Sequence, residues 1–80
     1  MTPFAHVQQG MSHLKIAVYE LLNTADSNGL KNVEIGRELG IYCGHEGHEG
    51  HISRTILAML EHDDLVTQDK QSKAWHVVHH

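Results

Sequence analysis

The sequence predicts a small, mostly helical α/β domain in which three helices precede a β-hairpin. Three segments place apolar residues at three- and four-residue steps, which is the period of an amphipathic helix. Two short alternating segments follow on either side of a polar connection, which is typical of a hairpin. The chain has 80 residues, 40% of them hydrophobic, which is the size of one domain. We expect residues 12–78 to form that domain, between an N-terminal arm, residues 1–11, and a C-terminal tail, residues 79–80.

The first helix is predicted over residues 12–23. Ser12 is a suitable N-cap. The apolar positions that follow it at helical spacing are Leu14, Ala17, Val18, Leu21 and Leu22. Residues 1–11 contain one proline and no sustained period, and we therefore expect a loose arm there. The segment from Asn23 to Gly29 consists of turn-forming residues and ends the helix.

The second helix is predicted over residues 33–39, with Asn32 as its cap. Gly40 suits the left-handed position that commonly terminates a helix. The preceding segment, Leu30 and Lys31, is too short to predict a strand. Gly36 lies inside the helix, where glycine costs up to about 1 kcal/mol relative to alanine. A close approach by another helix would explain that glycine.

The third helix is predicted over residues 51–62, and the hairpin strands over 66–69 and 74–78. Leu65 is expected to return to the core, and Trp75 to pack there, as a lone tryptophan in a small domain usually does. The expected core comprises Leu14, Val18, Leu21, Leu22, Val33, Ile35, Leu39, Ile41, Ile52, Ile56, Met59, Leu60, Leu65, Trp75 and Val77.

This order of elements resembles the winged helix-turn-helix family over about residues 12–78. NVEIGRELGI is similar to the first helix of a helix-turn-helix, and HISRTILAMLEHDDLV to the recognition helix with its exit into the wing. The segment from Lys73 to Val77 resembles the return strand of the wing. The connection from Gly40 to His51 is longer than the three or four residues usual in that motif. The resemblance thus implies a winged helix with an extended turn before its recognition helix.

The resemblance also implies binding of double-stranded DNA in transcriptional regulation. Helix 51–62 would enter the major groove, and the hairpin 66–78 would act as the wing. Arg54 is the only arginine or lysine of that helix, and it would read a base, because arginine pairs bidentately with guanine. The expected DNA-binding residues are His48, His51, Ser53, Arg54, Thr55, Lys70 and Lys73.

Several of these residues also have an ordinary structural interpretation. Arg54 could pair with Glu61 or Asp69 at the surface, and Ser53 could cap the helix N-terminus. The two wing lysines could simply lie in a solvated loop. The sequence leaves these alternatives open.

The charge balance favours a second function, that of a protein-interaction module in a larger assembly. Six Lys and Arg stand against ten Asp and Glu, which gives a net charge of −4. A single copy therefore has few cations with which to neutralise phosphates. A homodimer or a larger assembly would supply more cations. Helix one with the N-terminal arm is the expected contact surface for such an assembly.

A third function, a metal-responsive switch, follows from the spacing C-x-H-x2-H-x2-H. Its residues are Cys43, His45, His48 and His51, and thiolate with imidazole suits a tetrahedral zinc site. The spacing matches no standard zinc module, however, and a glycine-rich loop loses much conformational entropy on ordering. A polar turn without metal is the simpler interpretation, so we expect no cofactor.

The sequence does not predict an enzyme. Asp63 and Asp64 are adjacent at a helix end and are not placed for acid–base work, and nothing orients an imidazole beside Cys43. One cysteine excludes an internal disulfide and is typical of the reducing cytoplasm. No apolar run approaches the ~20 residues of a membrane span.

Overall fold

A computed structural model describes residues 1–42 and 50–79, which form three helices and a two-stranded antiparallel sheet. The elements are α1 Pro3–Thr24, α2 Asn32–Glu38, α3 His51–His62, β1 Val66–Gln68 and β2 Trp75–Val77. In the sheet, Val66 pairs with Val77 and Gln68 with Trp75. The predicted order of three helices and a hairpin is confirmed, with strands somewhat shorter than expected. No described helix is both long and apolar enough to cross a membrane.

The first helix is nearly twice as long as predicted. It begins at Pro3, so the expectation of a loose arm over residues 1–11 is wrong, and Ser12 is not its cap. The hydroxyl of Thr2 accepts a hydrogen bond from the Ala5 N–H at 3.1 Å, with proline at the first turn. Proline suits that position because its φ angle is already helical and the N–H it lacks would be unpaired there. The 22 residues of α1 form a rod about 33 Å long.

A tight loop after α1 brings a short extended segment beside β2. Gly29 has φ +69°, and a Cβ atom there would collide with the Trp75 carbonyl oxygen. The Leu30 N–H donates to the Trp75 carbonyl at 3.1 Å, and the Trp75 N–H donates to the Leu30 carbonyl at 2.7 Å. Strand β2 is therefore hydrogen-bonded on both sides, by β1 and by the single bridge at Leu30.

The second helix begins one residue earlier than predicted. Its N-cap is Lys31, whose N–H donates to the Glu34 carboxylate at 2.8 Å, so Asn32 is not the cap. It ends at Glu38, one residue earlier than predicted. The glycine termination is as expected: Gly40 has φ +71°, and the Ile41 N–H donates to the Gly36 carbonyl at 2.8 Å. These features form the left-handed glycine termination of a helix.

The core lies where the three helices and the sheet meet. Trp75 is only 7% exposed, which confirms its predicted place. Leu65 is 36% exposed, and its prediction as a core residue is wrong. Neighbouring residues of extended chain point to opposite sides, and it is Val66 that faces inward. The buried cluster consists of Val18, Leu22, Ile35, Ile56, Leu57, Leu60, Val66 and Trp75.

Two glycines in open surroundings should respond oppositely to alanine substitution. Gly10 lies within α1 and Gly40 has φ +71°, and an added Cβ would meet nothing within 4 Å at either position. Gly10→Ala should raise the free energy of unfolding by about 0.5–1 kcal/mol, because alanine is the better helix former. Gly40→Ala should lower it by roughly 1–2 kcal/mol, because a Cβ is strained in the left-handed region. Urea unfolding at low protein concentration measures both, and a change of the same sign in the two variants would contradict this account.

Candidate nucleic-acid interface

Helix α3 is divided into a buried face and an exposed face. The buried residues are Ser53, Ile56, Leu57 and Leu60, and these attach the helix to the core. The exposed residues recur at helical spacing and form one continuous stripe: His51, Arg54, Thr55, Ala58, Glu61 and His62. Apart from Glu61, no acidic side chain lies on this stripe. The helix therefore offers a polar surface along its length, with its arginine in the first turn.

The start of α3 is fixed to α2 by a buried hydroxyl. Ser53 is 0% exposed, and its Oγ donates a hydrogen bond to Asn32 Oδ1 at 2.7 Å. The Gly50 carbonyl oxygen lies 3.1 Å from the same Oγ and accepts from Asn32 Nδ2 at 3.1 Å. The three residues thus form a small polar network between the two helices, and its members satisfy one another.

Two glycines make room for this network. Gly50, the N-cap of α3, has φ +80°, and a Cβ atom there would lie 2.7 Å from Asn32 Nδ2. Gly36 is buried in α2, where a Cβ would lie 3.2 Å from Ser53 Oγ and 3.1 Å from the Tyr42 side chain. The close helix approach predicted at Gly36 is confirmed.

The role predicted for Ser53 requires correction. Its hydroxyl is fully buried and bonded within the protein, so it does not reach a DNA phosphate. It does not cap α3 either, since the cap is Gly50. The sequence pattern missed the partnership with Asn32, which lies 21 positions away, because nothing local in either segment indicates it.

The other predicted residues of α3 are exposed at its N-terminal end. His51 is the first residue of the helix, and Arg54 and Thr55 follow it on the same side. The Thr55 Oγ1 donates to the His51 carbonyl oxygen at 2.8 Å, which leaves the threonine oxygen facing solvent as an acceptor. The N–H groups at the start of a helix have no acceptor within the helix itself, which makes this end of α3 electropositive.

The predicted wing lysines, Lys70 and Lys73, are exposed on a turn that is internally fixed. The Asp69 Oδ1 accepts from the N–H groups of Gln71 and Ser72, both at 2.8 Å. Lys73 has φ +68°, and its carbonyl oxygen accepts from Gln68 Nε2 at 3.0 Å. The backbone of the turn is thereby held while both ammonium groups remain in solvent.

Two further cations are close to other groups of the protein. Lys15 Nζ lies 4.0 Å from Asp63 Oδ2, between α1 and the end of α3. The Arg37 guanidinium lies 5.1 Å from the centre of the Tyr42 ring, over its face, which is a cation–π contact. No sequence pattern indicates the Arg37 contact, because the ring comes from beyond the end of α2.

Part of the predicted site lies outside the described residues. This applies to Cys43, His45 and His48, so the metal hypothesis and the DNA contact of His48 stay predictions. Within residues 1–42 and 50–79, no group of three or more His, Cys, Asp or Glu side chains could hold a metal ion.

No family model matches the sequence, and no curated protein or solved structure shows significant similarity to it. The geometry of α3 and of the hairpin turn is therefore the basis for inferring a function.

Removal of the buried hydroxyl should destabilise the domain, whereas removal of an exposed one should not. Ser53→Ala leaves Asn32 Oδ1 without its donor, and we expect a loss of about 1–3 kcal/mol in the free energy of unfolding. Thr55→Ala is the matched control, because it deletes a hydroxyl two positions along the same helix but at an exposed site. It should change stability by less than about 0.5 kcal/mol. Chemical denaturation of both variants measures the two free energies of unfolding. Equal decreases in the two variants would show that the buried network does not stabilise the domain.

The hairpin turn should weaken in acid. Hydrogen bonds from the backbone N–H groups of Ser72 and Gln71 hold the pKa of Asp69 below its ordinary value, because they stabilise the charged carboxylate. A lowered folded-state pKa contributes stability above the unfolded pKa, which is lost as pH falls through the folded value. Carboxyl ¹³C titration by NMR should give a midpoint below the ordinary value of about 3.9. The amide signals of Gln71 and Ser72 should move with the same midpoint, and an unshifted carboxyl would contradict the assignment.

Proposed function

We propose that this chain is a winged helix-turn-helix domain that binds double-stranded DNA and regulates transcription. In this proposal α3 enters the major groove and the hairpin 66–78 lies alongside as the wing. The observation that carries the proposal is the exposed polar stripe of α3, presented by a helix whose opposite face is fixed in the core. The order of α2, α3 and the hairpin along the chain supports the same proposal.

The stripe on α3 has side chains suited to a groove lined with base edges. Arg54 supplies the donors that guanine accepts bidentately, and the Thr55 oxygen and the His51 ring offer further polar contacts. Ala58, one turn further on, is exposed and small, so it allows the helix to lie close to the bases. The Ser53–Asn32 hydrogen bond contributes indirectly, because it sets the direction in which Arg54 points.

The hairpin turn would supply contacts to the phosphate backbone. Lys70 and Lys73 project from a turn that Asp69 already orders, so little backbone entropy is lost when they bind. With these two lysines and Arg54 as the contacting cations, the slope of log K against log salt should be no steeper than about −3 for one copy.

The net charge of −4 favours a second candidate, a protein-interaction module that uses the same face. The two functions differ in their response to DNA at low salt. Electrostatic attraction to a duplex is then at its strongest, and an interaction module would still show no affinity.

An NMR amide titration with a mixed-sequence duplex at about 50 mM salt, where phosphate contacts are strongest, tests the proposal. We expect shifts concentrated at residues 50–58 and 69–73. Arg54→Ala should abolish the shifts on α3 and leave the rest of the spectrum unchanged, because Arg54 is exposed and not part of the core.

Lys15→Ala is the charge-matched control. It removes one positive charge from the same protein, but Lys15 lies beside Asp63 on the α1 side, and duplex binding should persist. Equal weakening by the two substitutions would show that the binding follows net charge alone. Amides that do not move at any ratio of duplex to protein would contradict the proposal and favour the interaction module.

A further inference from the structure

The apolar stripe of α1 continues well beyond the core that it helps to build. Phe4, Val7, Met11, Leu14 and Val18 follow one another at steps of three, four, three and four residues. Leu14 and Val18 belong to the core or pack against it. Phe4 is 73% exposed and Val7 is 56% exposed. Met11, between these two pairs, is half-buried. The same face of one helix is thus covered in its second half and becomes uncovered towards its N-terminus.

The spacing of this stripe indicates the kind of surface that would cover it. An alternation of three and four is the heptad pattern of helices that pack side by side, with apolar residues at the a and d positions. In the second half of α1 the stripe meets the protein's own core. In the first half, the N-terminal stripe, which we define as Phe4, Val7 and Met11, has the geometry for a further helix.

The absence of charged residues around the N-terminal stripe indicates which helix would cover it. Residues 2–14 contain no Asp, Glu, Lys or Arg. In a symmetric dimer each copy uses the same surface patch, so a net charge on that patch would be repelled by the partner's patch. An apolar stripe without charged neighbours is self-complementary. A charged partner, in contrast, would find no opposite charge to pair with.

We propose that the N-terminal stripe of α1 is a dimer interface, and that its occupant is the same stripe of a second copy of this chain. Residues 3–14 span about 18 Å of helix, so the contact is at the small end of specific interfaces. The dimer should therefore form reversibly and depend on protein concentration. This inference concerns the free protein and does not rest on the proposed DNA binding.

Sedimentation equilibrium of the full chain without DNA tests the proposal. The average mass should rise from 9.0 kDa towards twice that value between low and high micromolar concentration. Val7→Glu should raise the dissociation constant by at least about tenfold, because it places a carboxylate in an apolar contact.

Gln9→Glu is the matched control for this substitution. It adds the same charge two positions away, on the opposite side of the helix, where the exposed polar residue makes no contribution to the stripe. It should leave the dissociation constant within about twofold, since an exposed charge changes little. Circular dichroism should show the same helix content in both variants, because neither position lies in the core.

Oxidative cross-linking provides a second measurement that does not depend on the glutamate variants. With Cys43 replaced by serine, Val7→Cys should form a disulfide-linked dimer at high concentration and Gln9→Cys should not. A mass of 9.0 kDa at every concentration would overturn the proposal. Equal effects of Val7→Glu and Gln9→Glu, or equal cross-linking at the two positions, would overturn it as well.

Discussion

The hydrogen bond between Ser53 and Asn32 is the constraint on which the arrangement of α2 and α3 depends. The hydroxyl is completely buried, and a buried polar group without a partner costs more than the bond itself gains. The two helices therefore have one favourable alignment, in which Ser53 sits against Asn32 and Gly36 leaves the space for it. The side of α3 that carries Arg54 faces outward because the opposite side is held in this way.

The features that could be predicted from the sequence are those with a local or periodic cause. The bounds of α3 follow from its apolar period, the end of α2 from Gly40, and the burial of Trp75 from its size and hydrophobicity. Predictions are wrong where one local pattern is compatible with two structures. Asn32 stands where a cap would be expected from the sequence, yet it is the first residue of α2 and its side chain bonds to Gly50 and Ser53. Thr2 caps α1 ahead of Pro3, and the apolar period that follows this cap is too short to indicate a helix by itself.

The candidate site was predictable only in part, for the same reason. Exposure of His51, Arg54 and Thr55 follows from the period of α3, because they lie opposite its apolar stripe. The fixed shape of the hairpin turn depends on which N–H groups meet the Asp69 carboxylate, and the contact of Arg37 with Tyr42 depends on how the chain turns after α2. Such contacts join residues through backbone geometry, which a residue pattern does not specify.

The bridge between Leu30 and Trp75 has a consequence for how the chain acquires its structure. It joins positions far apart in the sequence, and the tryptophan belongs to the last strand. Closing so long a loop costs entropy before any contact repays it. A chain emerging during synthesis can form α1 early, but its sheet and core stay incomplete until Trp75 has been made. Nascent fragments that end before Trp75 therefore expose the apolar face of α1 and α3, and this is the stage at which the protein is most open to aggregation or to capture by a chaperone.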